Sequence, residues 1–117
     1  MKIEGSRDCG NSPKNRFVQE FTVAIESGEM TPGTVSETVE WEGHSTAPIV
    51  GADALLDALK RRKRPEAIII EHAISHGKVG ASSGVVVQAD GKTRRFAHIF
   101  EFTNTKANCV ARIQSFA

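Results

Sequence analysis

The second half of the chain constrains the fold most, because it is predicted to form four consecutive β-strands joined by short turns. His76-Gly77 and Asp90-Gly91 each place a glycine where a tight hairpin requires positive φ. Consecutive hairpins build an antiparallel sheet, so this half predicts a single sheet and not alternating strand–helix units. The predicted strands span residues 66–75, 78–88, 93–103 and 109–116.

The first half begins with an amphipathic helix predicted over 13–27. Ser12 is a good N-cap, and Pro13 fits the first helical position because its missing N–H would be unpaired there. Gly28 supplies the stop signal at the C-terminal end. Apolar residues recur at helical spacing on one face, and Glu26 is assigned with the other charged residues to the remaining sides.

One strand and a second helix complete the first half. Residues 35–41 alternate and contain many β-formers, which predicts a strand between loops at 29–35 and 43–48. A stripe of leucines predicts a helix over 52–63, which ends before Pro65 because proline disfavours helix in the residue preceding it. Helices followed by hairpins indicate an α+β fold with a mostly antiparallel sheet.

Length and charge limit the function classes. The 117 residues suit one domain, predicted over 12–117 after a flexible segment at 1–11. The net charge of +1 provides no field to gather nucleic acid or anionic membrane, and the basic run 60–64 is attributed to the negative end of the second helix. The longest apolar run, 67–70, is far too short to span a membrane. We expect a cytoplasmic protein without nucleic-acid or membrane partners.

No metal or cofactor is expected. Cys9 and Cys109 are predicted to be free thiols, since the sequence offers no paired CxxC spacing. His72 and His76 are four residues apart, but on a strand that spacing separates them by roughly 13 Å. A metal site would need distant residues to converge.

Several segments, in this order, resemble the nuclear transport factor two-like superfamily, and within it the SnoaL-like and ketosteroid-isomerase-like small proteins. The resemblance implies a cone-shaped, curved, mostly antiparallel sheet wrapped around N-terminal helices, with a pocket at the open end. It also implies a homodimer formed through the convex sheet face. The segments that carry it are residues 21–28, 38–43, 49–51, 74–81 and 112–116.

The catalytic residues of a ketosteroid isomerase do not carry over to this chain. The general-base position falls on Trp41, the tyrosine position on Phe21, and the acid position on His98. A shift of one or two residues would place Glu40 or Glu42 at the base position. The resemblance therefore implies the fold without that mechanism, and function has to be argued from the site itself.

His98 is the candidate catalytic residue. Strand alternation places it on one face with Phe96, Phe100 and Phe102, and three phenylalanines indicate that this face is buried. A histidine in an apolar cavity can act as a general acid or base, or can orient a ligand. The alternative is a structural histidine that is bonded only within the core.

A ligand-binding pocket is predicted around this histidine. Trp41, Phe21 and Phe100 are expected to form its walls, with His72 and Phe116 as further ligand-binding residues. We expect a small, mostly apolar ligand and an isomerase, cyclase or dehydratase type of activity. The alternative is a non-catalytic dimerising module whose cone is filled by its own side chains.

Two further features of the sequence concern the pocket and the dimer. The small residues of 80–84 indicate a bend, a bulge or close approach by a helix or ligand, and the volume they leave favours a pocket. Ala97, Ile99 and either Val85 or Val86 make the opposite sheet face apolar, whereas a solvated face should be polar. This second pattern predicts the homodimer.

Overall fold

A computed structural model describes residues 1–31, 33–44 and 46–117, in which two helices and seven strands form an α+β fold. Pro32 and Ser45, in the two predicted loops, lie outside the described residues. The elements are β1 (Lys2–Glu4), α1 (Pro13–Ser27), β2 (Val35–Glu42), β3 (Ile49–Val50), α2 (Ala52–Lys60), β4 (Ala67–His76), β5 (Val79–Val87), β6 (Thr93–Phe102) and β7 (Val110–Phe116).

All seven strands belong to one curved, open sheet with the order β1-β4-β5-β6-β7-β2-β3. The pairs β1–β4 and β2–β7 are parallel, and the other neighbours are antiparallel. Register shifts interrupt β4, β2 and the β6–β7 pair, and such irregularities bend strands. The predicted class, a curved and mostly antiparallel sheet with helices, is confirmed.

Helix α1 forms where its local signals predict it. The Ser12 side chain accepts a hydrogen bond from the Asn15 amide, and Gly28 ends the helix with φ of 81°. The helix packs against the concave face of the sheet, so its apolar side forms the core with the inward residues of β4, β5 and β6. The buried apolar residues of α1 are Val18, Phe21 and Ile25.

The small residues of β5 allow close packing and do not leave free volume. A Cβ atom on Gly80 would lie 2.8 Å from a methyl carbon of Val18, and one on Gly84 would lie 2.0 Å from the Ile69 carbonyl oxygen. Phe96 and Phe102 occupy the remaining space beside these glycines. The expected close approach of a helix is therefore observed, but the inference that 80–84 opens a pocket is wrong.

The convex face carries exposed apolar side chains. Val85 pairs with Arg95 on the neighbouring strand and points outward like it, whereas Val86 is buried in the core. Ile99 and Phe116 are also exposed, and Ile74 and Val79 extend the same surface along β4 and β5.

Two short strands were not predicted, and one helix end differs from the predicted one. Ile49–Val50 form β3, antiparallel to β2. Lys2–Glu4 form a strand parallel to β4 within the segment expected to be loose. Helix α2 ends at Lys60, three residues before the predicted end, and Arg61 is its C-cap. Within the described residues, neither helix is long and apolar enough to cross a membrane.

Candidate functional site

A buried carboxylate organises the candidate site. The Glu26 side chain, from the last turn of α1, has no solvent exposure. Its Oε2 lies 2.6 Å from Nε2 of His98, while its Oε1 accepts hydrogen bonds from Arg94 Nη2 at 2.6 Å and Arg62 Nη1 at 3.1 Å. One carboxylate thus contacts one imidazole and two guanidinium groups.

Helix geometry explains why this acidic residue is buried. Glu26 follows Ile25 and lies one turn after Thr22, and both of these residues are fully buried against the sheet. Its expected place among the polar sides of α1 is therefore wrong. A carboxylate in this position is tolerated because cations from β6 and from the segment after α2 neutralise it.

The environment of Glu26 sets its ionisation. Burial alone raises the pKa of a carboxyl group. Hydrogen bonding from His98 and the charge of its ring when protonated, with smaller contributions from Arg94 and Arg62, outweigh burial and lower the Glu26 pKa to about 2. Glu26 is therefore ionised across the physiological pH range.

A hydrogen-bonded chain runs from Trp41 to Glu26. Trp41 Nε1 donates to Ser115 Oγ at 2.8 Å, and Ser115 Oγ lies 2.7 Å from His98 Nδ1. Because a carboxylate only accepts, His98 Nε2 must donate to Glu26. In the neutral imidazole, Nδ1 then accepts the hydroxyl proton of Ser115. Strand pairing makes this geometry possible, since His98 on β6 lies directly opposite Ser115 on β7.

Arg62 joins the loop after β2 to the site. Its guanidinium lies 5.3 Å from the Trp41 ring centroid, and its Nη2 is 3.3 Å from Nδ1 of His44. The His44 ring stacks on Trp41 at 4.2 Å. Burial lowers the pKa of His44, and Arg62 lowers it further. Because a guanidinium only donates, Nδ1 of His44 accepts from Arg62. Burial also lowers the pKa of Arg62, partly offset by Glu26, yet a guanidinium stays protonated in proteins.

Two cavities meet at this cluster. The inner cavity, of about 280 Å³, adjoins His98 and Ser115. The outer cavity, of about 380 Å³, adjoins Lys63 and Asp90. Both cavities are lined by the same three charged residues, Glu26, Arg62 and Arg94.

The residues predicted for the pocket are only partly brought together. His98 lies beside the inner cavity but is only 2% exposed, and Phe116, 55% exposed, lines that cavity. Trp41 is fully buried and reaches the site through its hydrogen bond to Ser115. Phe21 and Phe100 pack edge to face at 5.2 Å in the core and line neither of the two cavities.

His72 lies outside the cluster. The bulge in β4 leaves its side chain exposed on the convex side, where Nδ1 is 3.1 Å from Asp8 Oδ2. The same Asp8 oxygen accepts the backbone amide of Ala73, which helps to fix the N-terminal segment to β4. Across 1–31, 33–44 and 46–117, no three His, Cys, Asp or Glu side chains converge as a metal-binding group.

Sequence reasoning missed Glu26, Arg62, Arg94 and Ser115. A signal existed for Arg94, because it alternates with Phe96 and His98 along β6 and so shares their face. No comparable local signal distinguishes Arg62 within its basic run, since only the early end of α2 turns this residue towards Glu26.

A ketosteroid-isomerase base is expected on Trp41 or, with a shift of one or two residues, on Glu40 or Glu42. The inward orientation of Trp41 turns Glu40 and Glu42 to the other face of β2. Glu42 bonds Arg112 on that face. The carboxylate of this site comes from α1 instead of from β2.

The comparisons with known proteins concern the fold. No protein-family model matches the chain, and no curated protein matches it either. Solved structures with the same fold do match, several of them at identities of 12–18%, so the likeness extends to the fold and no further.

Three of these structures illustrate the range of proteins that share the fold. A nuclear transport factor two-like protein of unknown function from Mesorhizobium loti has a TM-score of 0.69 and 12% identity, covering 99% of this chain and 98% of its own. A proposed ketosteroid isomerase from Kribbella flavida has a TM-score of 0.71 and 14% identity, covering 88% and 76%. A proposed polyketide cyclase from Xanthomonas campestris has a TM-score of 0.63 and 17% identity, covering 89% of each. The nuclear transport factor two-like fold expected from the sequence is thereby confirmed.

Proposed function

We propose that this chain uses its nuclear transport factor two-like fold to bind a small molecule in the inner cavity and to catalyse proton transfer there. The reaction class is that of an isomerase, cyclase or dehydratase. The observation that supports it is the Ser115–His98–Glu26 chain beside a cavity of about 280 Å³. A histidine held between a hydroxyl and a carboxylate is equipped for general acid–base chemistry.

Each member of the chain has a distinct role in this proposal. Ser115 meets the substrate, takes a proton from its hydroxyl or activated C–H group, and passes its own proton to Nδ1 of His98. The imidazolium that forms is stabilised by Glu26, whose charge is already in place. Return of the proton to another atom of the substrate completes an isomerisation or assists loss of water. Glu26 is a positioning residue, because its carboxylate contacts His98 and the arginines.

Trp41 keeps Ser115 in position for this transfer. Its indole N–H donates to the Ser115 oxygen, which leaves the hydroxyl proton free to point at His98. The ligand's apolar portion would lie against the His44 ring, which lines the inner cavity and stacks on Trp41. The sequence predicts a mostly apolar ligand. Because charged residues line the cavity, we propose instead a ligand of which only one part is apolar.

A non-catalytic binding or dimerising module is the second candidate. Its support is that His98 is only 2% exposed and that both ring nitrogens are already bonded within the protein. A purely structural network would look the same in the unliganded molecule.

We further propose a homodimer through the convex face. Exposed Ile74, Val79, Ile99 and Phe116 form an apolar surface on the side that no helix covers. A cytoplasmic location is also proposed, where the free thiols of Cys9 and Cys109 would stay reduced.

The function is tested by proton–deuterium exchange in D2O. The probe is methyl 4-oxocyclohexanecarboxylate, an uncharged ketone, and exchange at the carbons next to its keto group is followed by proton NMR. We expect the chain to accelerate exchange and His98→Gln to abolish the acceleration. His72→Gln is the matched control, because His72 is an exposed histidine outside the site. Equal rates for the chain and His98→Gln would overturn the catalytic proposal and favour the non-catalytic module.

A further inference from the structure

We infer that the ligand of this site is a small organic acid whose carboxylate is bound by Arg94 and Lys63 in the outer cavity. The inference deepens the proposed function by naming the substrate class, and it rests on that function for the identity of the site. It gives a binding role to part of the basic run 60–64, whose charges were interpreted above only as complementing the negative end of the second helix.

The charges around the shared wall of the two cavities do not balance. Arg62 and Arg94 provide two positive charges, and Glu26 alone opposes them. All three side chains line both cavities, so a ligand in either one meets an excess of positive charge. Since Glu26 is buried and ionised, this count already includes its full charge.

Arg94 retains hydrogen-bonding capacity for a ligand. Only its Nη2 is bonded, to Glu26, and its other donors have no partner within the described part of the chain. The side chain is 34% exposed, whereas Glu26 behind it has no exposure. A guanidinium matches a carboxylate with a pair of parallel N–H donors, so the free edge of Arg94 suits an incoming organic acid.

The outer cavity adds a second free cation. Lys63 is exposed and forms no ion pair with any described residue, whereas Arg64, which also lines this cavity, is paired with Glu29. Asp90 is the opposing carboxylate on the far wall, and it accepts the Lys92 amide at 2.9 Å. Since Glu29 neutralises Arg64, the remaining lining charges are three positive and two negative. The positive ones are Arg62, Lys63 and Arg94, and the negative ones are Glu26 and Asp90, so the outer cavity is net positive.

The chain path after α2 creates this arrangement. Because the helix ends at Lys60, the following residues turn back over the last turn of α1, where Arg62 meets Glu26 and the Ile25 carbonyl. In this proposal one ligand spans both cavities, with its carboxylate at Arg94 and its reacting carbon near His98. The support is that Glu26, Arg62 and Arg94 line both cavities.

Binding measurements test the inference independently of catalysis. The probes are 4-oxocyclohexanecarboxylate and its methyl ester, which differ in charge but share the ring, titrated by calorimetry. We expect the acid to bind at least tenfold more tightly than the ester. Arg94→Gln should remove that preference, and the matched control Arg95→Gln should keep it. Arg95 is the adjacent residue on the opposite sheet face, where it pairs with Glu71.

Arg94→Gln could impair folding, because Arg94 also helps to neutralise Glu26. A second pair of variants therefore tests the inference without changing Arg94. Lys63→Gln removes a cavity charge without touching that carboxylate, and Lys60→Gln is its control on the exposed side of α2. We expect a severalfold loss of acid binding in Lys63→Gln alone. Equal binding of acid and ester, or equal losses in the cavity variants and their controls, would overturn the inference. Neither result would affect His98-dependent exchange of the ester, so failure of the inference is distinguishable from failure of the proposed function.

Discussion

Glu26 and His98 are 72 positions apart in the chain, yet Oε2 and Nε2 are 2.6 Å apart in an environment without solvent. Removing one member of such a buried pair leaves the remaining charges uncompensated. We therefore expect Glu26→Gln to destabilise the fold by about 3–5 kcal/mol, measured by urea unfolding. Glu29→Gln is the control, since its exposed pair with Arg64 should be worth at most about 1 kcal/mol. Similar losses in both variants would contradict this account of the cluster.

Stability should fall in acid because of the same carboxylate. The Glu26 pKa is lowered from 4.5 to about 2 on folding, so the unfolded chain binds this proton more readily than the folded chain. The stabilisation, roughly 3 kcal/mol, is complete above pH 4.5 and is lost as the pH falls from there to about 2. Urea unfolding at a series of pH values measures it. In Glu26→Gln this component should vanish, and an unchanged acid profile would refute the assignment.

Ser115→Ala should cost about 1–3 kcal/mol, because it leaves the Trp41 N–H and His98 Nδ1 without their partner. Urea unfolding followed by Trp41 fluorescence measures the loss and also reports the altered indole environment. Ser83→Ala is the control, since Ser83 is a serine on the outward side of β5. Should both variants unfold at the same urea concentration, the hydrogen-bonded chain would contribute nothing to stability.

Gly84→Ala should destabilise the fold by about 1–3 kcal/mol or more through overpacking. The new methyl group would lie 2.0 Å from the Ile69 carbonyl oxygen and 2.8 Å from the Phe96 ring, and backbone has little freedom to move away. Thermal unfolding measures the effect. Ala81→Val enlarges a residue of the same strand on the outward face and should be tolerated. An unchanged melting temperature in Gly84→Ala would mean that the two strands can separate easily at this point.

The proposed dimer is tested by sedimentation. Ile99→Lys places a charge in the middle of the convex apolar surface, where an interface would bury it, and we expect it to shift the protein to monomer at micromolar concentration. Ile3→Lys is the control, because Ile3 is also exposed but pairs beside Ile68 on the concave side. A wild-type chain that sediments only as monomer would refute the proposal.

The fold was predictable where its signals are local. Ser12, Pro13 and Gly28 set both ends of α1, and the turns at Gly77 and Gly91 set the hairpins, because each depends on the conformation of a few neighbouring residues. Lys2–Glu4 was missed because a three-residue strand has almost no pattern of its own. Its partners, Ala67–Ile69, are more than sixty positions away.

The part of the candidate site that could be predicted is His98, whose place among phenylalanines is a pattern within one strand, together with Trp41, which bonds Ser115. Glu26 has the composition of a solvated helix position, and only the cations contributed by Arg62 and Arg94 make its burial favourable. Those contacts depend on the end of α2 and on the strand register, which no single segment encodes. The small residues of 80–84 were misjudged for a related reason, since their sequence cannot show whether a ligand or Val18 fills the space.

The parallel pairing of β2 with β7 has a consequence for folding kinetics. It joins Trp41 to Ile113, and the Trp41–Ser115 hydrogen bond closes a loop of 74 positions. The entropy of closing so long a loop is lost before the contacts it allows are gained, which slows folding. We expect hairpins β4–β5 and β5–β6 to form early and the fluorescence of Trp41 to change late. Ser115, to which the proposed function gives the contact with the substrate, would then reach its place only in the final step of folding.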